Sequence, residues 1–138
     1  MNLFDCFETT QDTGILTTSN SEGQVDVAIY SRPHVIDENT VAFIMRLRLS
    51  YENLQSNPHA AYMFIEKGQG YKGKRLYLTK LREETDPALI DSLRRKEPKT
   101  DYKSDEKSCL FYFHVDRVRP LVGDKDRQKR FSVTIKEN

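Results

Sequence analysis

The chain has almost no net charge, few cysteines and no long apolar run, and each absence removes a class of function. Its 22 Lys+Arg stand against 21 Asp+Glu, so no overall field draws it to nucleic acid or to an anionic membrane, and charge must act locally. No apolar stretch approaches the ~20 residues of a membrane-spanning helix. The opening Met-Asn-Leu-Phe-Asp lacks the basic and apolar regions of a secretory signal, so a cytoplasmic location is expected. Cys6 and Cys109 lie far apart and form no C-x-x-C pair, so neither a zinc site nor a disulfide framework follows, and both read as small apolar residues. His34, His59 and His114 are equally scattered, and a metal site would require the fold to gather them. No Ser-His-Asp or paired-carboxylate arrangement can be assigned from spacing. No internal repeat or low-complexity segment appears, and 138 residues fit a single domain, 1–138, able to bury a core without metals or disulfides.

What is present is a series of short β-rich segments separated by turn residues. Gly14-Ile-Leu-Thr-Thr-Ser19 and Gln24-Val-Asp-Val-Ala-Ile-Tyr-Ser31 flank Asn20-Ser-Glu-Gly23, which predicts a β-hairpin over 14–31. The alternation of Val25, Val27 and Ile29 with Asp26 and Ala28 predicts that the first three face a core. Pro33 closes that pattern, and Thr40 to Met45 is apolar enough to be buried on both faces. His59 to Ile65 gives a fourth strand, Tyr71 to Glu84 a long fifth with a bulge expected near Thr79, and Cys109 to Arg119 a sixth. Residues 2–11 read as a helical turn or an irregular lead-in, 99–108 as a charged loop, and 124–138 as a basic and polar tail in which Phe131 to Ile135 is a candidate added strand. Six strands with two short helices and hairpin spacing predict a mainly β fold, an antiparallel barrel with flanking helices.

The two helices carry clear boundary signals. Thr85 or Asp86 caps a helix over 85–96, Pro87 suits its first turn, and Pro98 lies beyond its end. The other helix lies in Arg46-Leu-Arg-Leu-Ser-Tyr-Glu-Asn-Leu-Gln-Ser-Asn-Pro58. Ser50 is the expected N-cap with Asn53 as the reciprocal partner, Leu54 faces the core, and Asn57-Pro58 stops the helix. A strand running into a helix start is a place to hold a phosphate, because the first N–H groups lack intrahelical partners and arginine forks match phosphate oxygens. The alternative reading is an ordinary exposed strand end and cap. Lys72, Lys74 and Arg75 could likewise meet an acidic ligand, but read more readily as solvated strand charges. Tyr62, Tyr77 and Tyr112 are expected in the barrel wall.

Gly14-Ile-Leu-Thr-Thr, Glu22-Gly-Gln-Val-Asp-Val-Ala, Thr40-Val-Ala-Phe, Asn53-Leu-Gln-Ser-Asn-Pro58 and Ala60-Ala-Tyr-Met-Phe, in that order and spacing, resemble the pyridoxamine 5′-phosphate oxidase-like FMN-binding split barrel family. The resemblance implies a six-stranded antiparallel split barrel and an FMN-dependent oxidoreductase. It also implies a homodimer with FMN at the subunit interface and a small-molecule substrate or electron donor. Carried over by position, it makes Tyr30, Ser31, Arg32, Ile44, Met45, Arg46, Leu47, Arg48, Ser50 and Asn53 cofactor-binding, with Arg32 or a basic residue of the fifth strand near the flavin N1. The tail 124–138 becomes a candidate for packing on the partner subunit.

The family often has a lysine where this chain has Ser50. Either Arg46 or Arg48 supplies the phosphate charge, with Ser50 as a hydroxyl donor, or FMN affinity is weakened or lost. The first reading is favoured, because a phosphate with nearly two negative charges needs local compensation. Two other function classes stand beside the oxidoreductase. One is a non-catalytic flavin-binding or redox-sensing protein. The other is a small β-barrel nucleic-acid binder using Lys72, Lys74, Arg75 and the basic run at 125–130, against which the balanced charge argues.

Overall fold

β-Branched and aromatic residues form seven strands in the computed structural model, which describes residues 12–68, 70–94 and 107–123. The strands are β1 (Asp12–Ser19), β2 (Val25–Ile29), β3 (His34–Asp37), β4 (Thr40–Arg46), β5 (His59–Glu66), β6 (Gly73–Glu84) and β7 (Ser108–Pro120). Two helices interrupt them, α1 (Leu49–Ser56) and α2 (Pro87–Leu93). All neighbours pair antiparallel in the order β2-β1-β5-β6-β7-β4-β3. The ladder therefore ends at β2 and β3, and the fold is a mainly β split barrel. The lead-in over 2–11, most of the charged loop and the strand expected over 131–135 lie outside the described residues.

The count of seven corrects the expected six. The additional strand, β3, has four residues directly after Pro33, too short to show an alternation, and it owes its existence to pairing of His34 with Ala42 and Val35 with Val41 on β4. The first hairpin forms as expected, with Gly23 at φ 84° in its turn, a conformation that suits glycine. Asn20 Oδ1 accepts from the backbone N–H of Glu22 at 2.9 Å and of Gln24 at 3.0 Å, an Asx turn that fixes the hairpin's register.

That register overturns the expected face of β2. Leu16 lies opposite Ala28, and Ile15 opposite Ile29, and directly opposed residues share a face. Leu16 is fully buried, so Ala28 and Asp26 point inward. Val25, Val27 and Ile29 point out, 70%, 62% and 73% exposed. The alternation was visible in the sequence, but its sign was set by the neighbouring strand.

The core inside the barrel is built from Leu16, Phe43, Tyr62, Phe64, Leu76, Phe111, Phe113 and their neighbours, with Leu54 of α1 among them. β4 is buried on both faces, as its composition predicts, since Ala42 on the outside packs with Ile90 of α2, Leu110 and Tyr112. Gly14 permits the close approach of β1 to Tyr62, whose hydroxyl donates to the Tyr30 carbonyl at 3.3 Å; a Cβ at this position would collide with both groups. The register of β6 on β7 slips on either side of Thr79, once between Tyr77 and Leu78 and once between Lys80 and Arg82. This agrees with the bulge expected there.

Helix α1 begins earlier than its sequence implies. Arg48 is the N-cap and makes no side-chain cap hydrogen bond, a guanidinium having no acceptor, and the chain turns there with Arg48 N–H donating to the Arg46 carbonyl at 2.8 Å. Ser50 is thus inside the first turn, and Asn53 does not reach back to form a capping box. Asn53 Nδ2 donates instead to Thr18 Oγ1 at 3.0 Å, both side chains being buried. Asn57 Nδ2 donates to the Asn20 carbonyl at 3.4 Å and its Oδ1 accepts from His59 N–H at 3.0 Å. The Asn-Leu-x-x-Asn-Pro sequence therefore binds α1 to the hairpin, fills the core with Leu54 and ends the helix. α2 follows its start signals, with Asp86 Oδ1 accepting from Ala88 N–H at 3.0 Å and Pro87 as its first residue, but it ends at Leu93 with Arg94 as C-cap, short of the expected 96.

Two outcomes follow. Asn53→Ala strands the buried Thr18 hydroxyl and is expected to cost about 1–3 kcal/mol, read as a lower urea midpoint; Thr18→Val in the same chain should recover part of that loss. Cys109 is fully buried, and burial, with the Glu83 carboxylate beside it, pushes its thiol up to about 12. In a Cys6→Ser background, iodoacetamide at about pH 8.5, near an ordinary thiol pKa, should label Cys109 only after denaturant is added.

Candidate functional site

The ends of β2 and β4 converge on the first turn of α1 and leave a groove of about 460 Å³ between them, within the roughly 300–1,000 Å³ typical of small-molecule sites. Six of the ten positions expected to bind a cofactor line it: Tyr30, Ser31, Ile44, Arg46, Arg48 and Ser50. Strand alternation explains the selection on β4. Ile44 and Arg46 share the groove face, whereas Met45 between them points into the core with no exposed surface.

The other positions lie elsewhere. Asn53 is turned to the hairpin, and Arg32 is half-buried beyond the lining. Leu47 faces away, into a second cavity of about 570 Å³ with Tyr51, Pro87, Ile90 and Arg94 on its walls. Sequence reasoning missed Asp26, Val27, Ala28, Ile29 and Leu49 as lining residues. Only the register of the hairpin and the early helix start reveal them, although an acid among the β-branched residues of β2 is a signal for Asp26.

One end of the groove is polar. Two guanidinium-bearing residues, Arg46 and Arg48, stand beside the hydroxyl groups of Tyr30, Ser31 and Ser50. Helix α1 adds the N–H groups of its first turn, which have no intrahelical acceptor, and the positive end of its dipole. Ser50 Oγ donates to Asp26 Oδ2 at 3.4 Å, so a carboxylate lies in the same groove. Burial raises the Tyr30 pKa, while its hydrogen bond with Ser50 and the charge of Arg48 oppose the rise and Asp26 adds to it. Tyr30 is consequently a neutral phenol and can donate. Its ring packs edge-on against Phe43 with centroids 6.0 Å apart. The other wall is apolar, formed by Val27, Ala28, Ile29, Ile44 and Leu49. Such a groove suits a ligand with an anionic head and a flat or apolar body.

The remaining candidates are placed away from it. Arg75 donates from Nε to the Pro120 carbonyl at 2.8 Å and from a terminal nitrogen to the Gly123 carbonyl at 2.6 Å, fastening the end of β7. His59 and His114 are joined through Thr79 and Asp116 by contacts of 3.3, 2.6 and 2.8 Å, and among the described residues no cluster of ligands suited to a metal is present. Among the same residues no helix is long and apolar enough to cross a membrane. The basic run at 125–130 lies outside the described residues.

No protein-family model matches the sequence, nor does any curated protein. Solved structures do. An FMN-binding protein from Syntrophomonas wolfei superposes with a TM-score of 0.72 at 18% identity, over 87% of this chain and 84% of that one. An F420 reductase gives a TM-score of 0.61 at 17% identity, over 83% and 94%. A protein of the pyridoxinephosphate oxidase family from Clostridium acetobutylicum, related to general stress protein 26, gives 0.62 at 15% identity, over 80% and 79%. Across these distant sequences the shared property is architecture, and the chain has the split-barrel fold of these structures.

Proposed function

We propose that this protein binds FMN in the groove at the start of α1 and acts as an FMN-dependent oxidoreductase. The observation that carries the reading is the convergence of Arg46, Arg48, Tyr30, Ser31 and Ser50 at one end of a groove whose other lining is apolar apart from Asp26. The donor set fits a phosphate monoester. Charge-assisted hydrogen bonds contribute roughly 1.5–3 kcal/mol each, so Arg46 and Arg48 compensate the phosphate, with Ser50 as a hydroxyl donor once its single proton turns from Asp26. Asp26 is an acceptor suited to the ribityl hydroxyls, and Val27, Ile29, Ile44 and Leu49 offer apolar surface to the ring. When bound, FMN supplies hydride transfer through its flavin ring. The chain's own tasks are to bind the phosphate, orient the ring and limit water on one face.

The site is completed, in this proposal, by a second copy of the chain. β2 is an edge strand, and its outer row of Val25, Val27 and Ile29 is largely uncovered. Apolar rows on an edge strand are otherwise blunted by charge or covered. Val27 and Ile29 also line the groove, so a partner docked on this row would close the groove's open side.

Arg46→Ala and Arg48→Ala should each weaken FMN binding about tenfold or more, measured by quenching of flavin fluorescence. Lys74→Ala, on β6 and outside the groove, should leave it unchanged; equal affinities in all three variants would remove the phosphate assignment. Val25 is 70% exposed and does not line the groove. Val25→Asp is therefore expected to convert a dimer into a folded monomer in light scattering and to weaken FMN binding with it. A wild-type chain that is monomeric at all concentrations refutes the dimer.

A further inference from the structure

Leu54 lies four residues before Pro58. Its carbonyl would ordinarily accept from the N–H at that position, but proline has none. α1 has no basic residue in its last turn either, so its C-terminal end lacks the cation that would oppose its dipole. Lys80 of β6 supplies both. Its Nζ donates to the Leu54 carbonyl at 2.9 Å, and its backbone N–H donates to the Pro58 carbonyl at 2.7 Å.

The lysine is itself held in place. Glu83 Oε2 accepts from Lys80 Nζ at 3.0 Å and from Gln55 Nε2, on α1, at 2.9 Å. Glu83 Oε1 faces Cys109 Sγ at 3.7 Å, and the ammonium lies 5.3 Å from the centre of the Phe111 ring. The lysine side chain is only 19% exposed. Burial alone would raise the Glu83 pKa, but hydrogen bonds from Gln55 and Lys80 and the lysine charge hold it below its ordinary value.

We propose that Lys80, with Glu83 and Gln55, is a positioning clamp that fixes the far end of α1 on β6 and so sets where the helix's first turn meets the groove. The inference rests on the FMN reading of that groove. An eight-residue helix is a rigid rod of about 12 Å, so movement at one end is carried to the other. The Asn53–Thr18 hydrogen bond holds α1 on the hairpin side, and the clamp holds it on the β6 side. Without the clamp, the helix can pivot about Asn53, and Ser50 and the first-turn N–H groups lose their registration on a phosphate. The apolar wall contributed by β2 stays where it is.

The test compares FMN with riboflavin, which lacks the phosphate. Lys80→Met should lower FMN affinity about tenfold while riboflavin affinity stays within about twofold, and Lys80→Arg should restore most of the FMN preference. Gln55→Ala, at an exposed position, provides a folded variant if Lys80→Met is unstable, with about a threefold loss of FMN preference expected. An unchanged FMN-to-riboflavin ratio in these variants overturns the clamp alone. So does an equal loss for both flavins, which would be a general structural effect. A wild-type chain that binds neither flavin overturns the FMN reading and this inference with it.

Discussion

At 3.0 Å, Asn53 Nδ2 donates to Thr18 Oγ1 where neither side chain has appreciable access to water. Breaking that bond strands a buried polar group, so helix α1 is tied to the first hairpin at Asn53. The consequence extends to the groove. The polar groups come from different elements, Arg48 and Ser50 from the helix start and Asp26, Tyr30 and Ser31 from the end of the hairpin. They can converge only if the helix is held in one rotation against β1. Leu54, buried in the core beside Asn53, makes that rotation the one that also excludes water. Packing and a single buried hydrogen bond thus choose the same geometry, and the site inherits it.

The split in the barrel is the second constraint. With β2 and β3 at the two ends of the ladder, β2 has, among the described residues, one edge unpaired and one face largely uncovered. The same segment forms a wall of the groove, so the surface proposed for association and the proposed ligand site share Val27 and Ile29. In that proposal, assembly and ligand binding are coupled through this shared wall.

Much of this architecture was legible in the sequence. The Asn20-Ser-Glu-Gly23 turn, the double-sided burial of Thr40 to Met45 and the stop at Asn57-Pro58 are local signals, and each appears in the structure where its chemistry requires. What escaped depended on partners. β3 is too short to announce itself and forms by pairing with β4. The buried face of β2 is chosen by Leu16 on β1, and a period-two pattern carries no sign until its neighbour is known. Ser50 looked like a cap because the turn at Leu47 and Arg48 leaves no composition signal. The candidate site followed the same division. Strand position put Ile44, Arg46, Tyr30 and Ser31 on the groove, whereas Met45 turns into the core and Asn53 to the hairpin.

The central claim, that the groove at the start of α1 holds FMN, is tested most directly by titrating the purified chain with FMN and recording the visible flavin spectrum. The account predicts saturable binding with a shifted ring absorption and one FMN per chain at saturation. A spectrum that remains that of free FMN at every protein concentration would contradict it.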